Sequence, residues 1–209
     1  MAGARELKKV ELRRQLTDTA TRMFIERGFD AVRVSDIATA CGVTEKTVFN
    51  HFPTKESLLL DTWEATELAL EAALLDAGTT PLAAAKSVLQ ADLAGVSNWL
   101  LASDDPADAR RSMRAFAALL DSTPALRAHR NTLREALIDR AADALARRSG
   151  SVEPDPATRA TAIALVGLWD IQSRSLSRNL AGPVANEGLG AAVAADVDAA
   201  AAALARGIA

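Results

Sequence analysis

The stretch from Arg33 to Leu60, RVSDIATACGVTEKTVFNHFPTKESLLL, restricts what this chain can fold into more than any other part of it. It reads as two short helices joined by a tight turn. Val34, Ile37 and Ala38 share one face of the first helix, and Ser35 stands near its start, placed to accept from a free backbone N–H. Gly42 falls where the chain must reverse, because a residue without Cβ takes φ > 0 at little cost. Val43 then tucks back onto the first helix, and Thr44 is placed to cap the second. Val48 and Phe52, four apart, turn inward and leave Glu45, Lys46, Thr47, Asn50 and His51 pointing out. A helix of about two turns with a polar, partly basic outer face suits the major groove of DNA, which admits one α-helix.

The rest of the chain is punctuated as helices. Leu12, Leu16, Ala20, Met23 and Phe24 recur at three- and four-residue steps, so a first helix runs from about Glu6 to Arg27 and ends at Gly28. Arg5, Lys8, Lys9, Arg13 and Arg14 crowd its leading part. After the turn-bearing stretch, Pro53 stops one helix and Thr54 opens another that continues to about Asp76. Thr80-Pro81, Asp105-Pro106 and Thr123-Pro124 repeat a cap-then-proline device at three further helix starts. Ser149 to Pro156 is a loop, and two helices follow, about Ala157–Leu180 and Glu187–Arg206, the second rich in alanine. The expectation is an all-α chain of nine helices: a three-helix head over 1–54 and a helical-bundle body over 55–209.

Charge points the same way. The whole chain carries −3, but residues 1–55 hold ten Lys and Arg against seven Asp and Glu, while the remainder holds fourteen against twenty. A basic module joined to an acidic one is the footprint of a nucleic-acid-binding head on a body that does not bind it. No apolar run is expected to reach membrane-span length, and no signal-peptide core opens the chain, so a cytoplasmic protein without a membrane partner is expected. A single cysteine, Cys41, leaves no internal disulfide and no cysteine-based zinc site. His51 and His129 lie far apart in the chain, and neither a phosphate-binding nor a dinucleotide glycine fingerprint occurs, so neither an enzyme nor a cofactor is expected. A helical adaptor that binds protein and takes no small-molecule effector is the alternative; the basic head and the Lys46/Asn50/His51 face speak against it.

The segment DIATACGVTEKTVFNHFPTKESLL resembles the N-terminal module of TetR-type transcriptional regulators. The likeness rests on an Ile-Ala step, a Gly-Val turn, the Thr44-to-Phe52 core and the following Lys55-x-x-Leu58. The resemblance implies a homodimeric repressor whose two heads grip a near-palindromic double-stranded operator and release it when an effector fills the body. It implies base reading from Glu45, Lys46 and Thr47, with Asn50 adding a base or phosphate contact. It implies phosphate contacts from His51 and Lys55, and from Ser35 and Thr44 at helix N-termini. Phe49 stands where tyrosine is common and lacks the hydroxyl that would meet a phosphate. Arg33 replaces a small hydroxyl residue and supplies a phosphate contact in its place.

In the body, Trp99, Met113, Phe116, Leu120, Leu137, Trp169 and Gln172 are candidates for an effector pocket, mostly apolar with few polar groups, suited to a small apolar molecule. Leu176, Leu180, Val193, Val197 and Leu204, on the last two helices, are candidates for the dimer seam.

Overall fold

A computed structural model of the chain describes residues 2–60 and 63–207, except for the side chains of Ala2, Ala4, Arg5 and Glu64. Among these residues there are nine α-helices and no strand: α1 Ala2–Arg27, α2 Val34–Ala40, α3 Glu45–His51, α4 Trp63–Leu75, α5 Pro81–Ala102, α6 Pro106–Ser122, α7 Pro124–Arg148, α8 Pro156–Ala181 and α9 Asn186–Ala205. The helix starts follow the capping chemistry. Thr44 Oγ1 accepts from the Thr47 N–H at 3.2 Å, and Thr80 Oγ1 from the Ala83 N–H at 3.2 Å. Asp105 accepts from Ala107 and Asp108 at 3.0 and 2.9 Å. A fourth such start lies inside the expected loop. Asp155 accepts from the Thr158 N–H at 2.7 Å with Pro156 as the first helical residue, and these backbone donors hold its carboxyl below the ordinary range.

Two expectations about helix starts change. Ser35 does not cap α2; the Asp36 carboxylate does, accepting from the Arg33 N–H at 2.9 Å. Nor does one helix run from Thr54 to Asp76. A 3₁₀ turn at Glu56–Leu58 precedes α4, and Thr54 and Ser57 bond each other's backbone N–H groups at 3.2 Å. Leu58, Leu59 and Leu60 are all buried, and three consecutive side chains cannot share one face of an α-helix.

The chain divides into two compact units, Met1–Thr62 with Ala115–Arg130, and Trp63–Arg114 with Asn131–Ala209. The first unit is packed on bulky residues. Leu16, Phe24, Ile37, Val48, Phe52 and Leu58 are essentially inaccessible, and the Phe24 and Phe29 rings lie 5.0 Å apart.

In the second unit α8 lies against α9, and both lie against α5. Its core is three clusters. Leu70, Leu74, Leu137, Ile138, Leu165 and several alanines form one; Leu93, Leu100, Leu180, Leu189 and Val193 form another; Leu89, Leu168 and Val197 form the third. Gly190 lets α9 approach α5, since a Cβ there would stand 3.0 Å from Ser97 Oγ.

Arginines tie off the helix ends. Arg110 donates to the carbonyls of Asn179, Leu180 and Gly182 and to Asn186 Oδ1, at 2.7 to 3.2 Å. Arg148 donates to the Leu74 and Asp76 carbonyls at 3.1 and 2.8 Å, and also to that of Thr79. Both satisfy carbonyls that a helix terminus leaves without partners. Glu71, between Arg140 at 3.1 Å and Arg147 at 2.6 Å, is held ionised below the usual carboxylate range.

Helix α9 also corrects the expectation about apolar runs. Its 20 residues are long and apolar enough to cross a membrane by length and composition. Half of them are alanine, and Leu189, Val193, Val197 and Ala201 are buried against the chain's own core. It packs as a bundle helix.

Candidate functional site

The turn between α2 and α3 is built almost wholly from backbone. Gly42 takes φ +68°, its N–H donates to the Thr39 carbonyl at 3.1 Å, and the Val43 N–H donates to the Ala38 carbonyl at 2.9 Å. This is a Schellman closure, which caps α2 while turning the chain. The Thr44 cap follows two residues later, so the start of α3 is fixed relative to the end of α2.

The far end of α3 is held by a residue the sequence reading left on a basic face. Arg13 Nη1 donates to the His51 carbonyl at 2.8 Å, and its guanidinium carbon lies 4.6 Å from the Phe52 ring centroid. The signal was present in spacing: Arg13 stands three residues before Leu16 and seven before Ala20, on the edge of the inward stripe.

With both ends held, α3 buries Val48 and turns Glu45, Lys46 and Asn50 outward, all exposed. Thr47 is half-buried, and its hydroxyl lies 2.9 Å from that of Thr44. His51 is half-buried at the Arg13 end. Phe49 flanks the outward face with 47 % of its surface accessible, so an apolar ring stands beside Lys46 and Asn50. Arg33 is exposed beside the start of α2, and Ser35 is half-buried there, its carbonyl accepting from the Thr39 hydroxyl at 2.8 Å. Lys8 and Lys9 are exposed on the leading turns of α1; the side chain of Arg5 lies outside the described residues.

Lys55 departs from its expected place among outward phosphate contacts. Its ammonium donates to the Phe29 carbonyl at 2.5 Å and lies 4.3 Å from the Phe29 ring centroid and 5.4 Å from that of Phe24. Burial lowers its pKa from the ordinary lysine value, while Asp30 and Glu56 oppose that shift. The side chain clamps the loop after α1 to the 3₁₀ turn.

The seven residues expected around one pocket are distributed over both units. Phe116 and Leu120 belong to the first unit and are half-buried. Leu137 sits inside the first of the second unit's clusters, and Met113 packs against the one around Leu93 and Leu180. Trp99 is half exposed, because Leu100, one residue on, takes the inward position on α5. Trp169 packs between two clusters and donates its indole N–H to Asp92 at 3.1 Å. Gln172 is buried on the wall of a cleft between α5, α8 and α9.

The residues expected at a dimer seam differ in their burial within one chain. Leu180, Val193 and Val197 are 1 %, 0 % and 5 % accessible within a single chain, so their faces are already covered. Leu176 and Leu204 are half-buried. The outward surface of these helices carries instead Ile163 and Ile171 of α8 and Ala191, Ala195, Ala199 and Ala202 of α9.

Comparison with known proteins agrees with the geometry of the head. The family model described as bacterial regulatory proteins, tetR family, matches residues 16–62. The transcriptional regulator TcmR of Streptomyces glaucescens is 33 % identical over 150 residues, 71 % of this chain and 65 % of that protein. The transcriptional repressor KstR2 of Rhodococcus jostii is 43 % identical over 47 residues, 22 % of this chain and 23 % of that one. The matches thus span less than two thirds of these curated relatives' own length. Among solved structures, the TetR-family repressor FadR of Thermus thermophilus, in complex with lauroyl-CoA, superposes with a TM-score of 0.53 at 22 % identity, over 94 % of this chain and 95 % of that one. That likeness is one of fold.

Proposed function

We propose, from the premise that this chain carries the TetR-family DNA-binding domain and is one of that family's transcriptional regulators, that it is a ligand-responsive repressor which binds a near-palindromic operator as a homodimer. The observation that carries the reading is α3 itself: a two-turn helix fixed at one end by the Thr44 cap, at the other by Arg13, with Lys46 and Asn50 projecting from it.

In this reading residues 1–54 contact DNA and residues 55–209 bind the effector and the second subunit. Lys46 and Glu45 read base edges in the major groove, and Asn50 contributes a base or phosphate contact. Thr47 supports them through the cap. Arg33, Ser35, Thr44 and His51 meet phosphates around the two short helices, which sets register without reading sequence. A single helix reads few base pairs, so two-fold symmetry doubles the contact. The second subunit docks on the outward faces of α8 and α9, where Ile163 and Ile171 are exposed among alanines that let helix axes come close. The effector is a small, largely apolar molecule held by the body, and the protein acts in the cytoplasm.

The test is fluorescence anisotropy of the full chain on a duplex taken from upstream of its own gene, against a scrambled duplex, over a range of salt. Preference for the native duplex by at least ~10³-fold is expected, with affinity falling as salt rises because bound phosphates release counterions. Equal binding to both duplexes, or none, retires the reading.

A further inference from the structure

Phe49 leaves 47 % of its surface accessible on a helix that buries its other apolar side chain, Val48, to 1 %. Covering apolar surface is favourable in proportion to its area, so a ring held in water on a DNA-reading helix gains when a partner covers it. Phe49 lies four residues beyond Glu45 and three beyond Lys46, both exposed, so the three side chains are neighbours on one flank of α3. That flank is a poor match for the DNA backbone. A phenyl ring has no hydrogen to donate to a phosphate, and its negative face repels an anion, as does the Glu45 carboxylate. Both groups suit base edges instead. A carboxylate accepts from the cytosine N4 amino group, and an apolar ring packs on the 5-methyl group of thymine, which the other bases lack.

We propose that Phe49 is a specificity-determining residue that selects thymine in the operator half-site by covering its 5-methyl group in the major groove. The inference deepens the operator-binding reading above and rests on it. Helix α3 can hold so local a contact because both its ends are fixed, by the Thr44 cap at 3.2 Å and by the Arg13 bond to the His51 carbonyl at 2.8 Å. A hydroxyl on the same ring would reach for a phosphate, a contact that sets register and carries no sequence information. Its absence leaves an apolar group whose complement in the groove is a particular base.

The test is fluorescence anisotropy of the full chain on the duplex from upstream of its own gene, with each thymidine replaced in turn by deoxyuridine. The replacement removes the methyl group and keeps every hydrogen-bonding group of the base. The wild type should lose affinity by about 4-fold at a thymine in each half-site, the worth of one buried methyl group. Phe49→Ala should bind the thymine and uracil forms of that position equally, whereas Phe49→Leu, still apolar, should keep a preference for thymine. Neither variant should change the salt slope, since no phosphate contact is lost.

Wild-type affinity that no thymine-to-uracil replacement lowers, or a penalty that persists undiminished in Phe49→Ala, would overturn the proposal while operator binding stands. Failure to prefer the native duplex over a scrambled one would retire the regulatory reading and this proposal with it. The wild-type scan can sink the proposal whether or not either variant folds.

Discussion

The turn around Gly42 and the packing of α8 on α9 hold their helices by different means. In the head, two seven-residue helices are oriented by local bonds: a Schellman closure, a threonine cap and one arginine from α1. In the body, helices of 20 and 26 residues are oriented by matched faces, and a helix face has no meaning until its neighbour is known. The head is therefore specified residue by residue along the chain, whereas the body is specified pairwise across space.

The largest effect should come from breaking a body face. Val197→Glu would bury a carboxylate without a partner against Leu89 and Leu168, at a cost of about 3–5 kcal/mol. Thermal unfolding should show the second unit collapsing rather than a folded monomer appearing. A variant that melts like the wild type and only loses its dimer would return Val197 to the subunit seam.

Next in size are two lysines of the head, which separate reading from building. Lys46→Ala should cost about 1–3 kcal/mol at particular base pairs and leave others unchanged. Lys55→Met should lower head stability, since the ammonium meets the Phe29 carbonyl, and should leave the salt slope of binding as it was. A slope reduced by about one unit in Lys55→Met would instead place that ammonium on a phosphate.

Glycines sharpen the same contrast at smaller scale. Gly42→Ala should cost about 1–2 kcal/mol, because a Cβ at φ +68° strains the backbone whatever space surrounds it. Gly190→Ala has an ordinary backbone, and only Ser97 Oγ must give way, so its melting temperature should shift less. Equal effects would mean that the turn is not conformationally demanding.

The smallest expected effect depends on pH. Burial raises the pKa of Asp92, with the Trp169 indole N–H opposing in part. A carboxyl raised in the folded state contributes stability below its unfolded pKa and loses it as pH rises through the folded one. Asp92→Asn keeps an acceptor for Trp169 and removes the titration. It should therefore melt higher than the wild type at neutral pH, with the gap closing towards about pH 4, near the ordinary carboxyl range. A gap that stays constant with pH would show that Asp92 does not titrate in that range.

What was legible from sequence follows this division. The turn at Gly42, the Thr44 cap and the Thr80 and Asp105 helix starts are written in adjacent residues, and each appears where the sequence reading put it. Asp155-Pro156 carries the same signal but was hidden among the loop-forming residues of SGSVEPDP. Lys55 could not be read, because basic residues near a DNA-reading helix suggest phosphates, and only packing shows that the rings of Phe24 and Phe29 lie beside it. Val193 and Val197 pose a related difficulty, since both are buried within a single chain. An apolar stripe shows that one face is buried; it does not show whether the chain's own helices or a second subunit cover it.

Helix α9 has a consequence beyond packing. Half of its residues are alanine, the strongest helix former, yet only Leu189, Val193, Val197 and Ala201 are fully buried. Its helicity thus depends little on its neighbours. When the body unfolds, this segment should keep fluctuating helical turns, so the denatured ensemble is not a featureless coil. Far-ultraviolet and tryptophan signals should then report different midpoints, and stabilities extrapolated from either one would refer to different unfolded references.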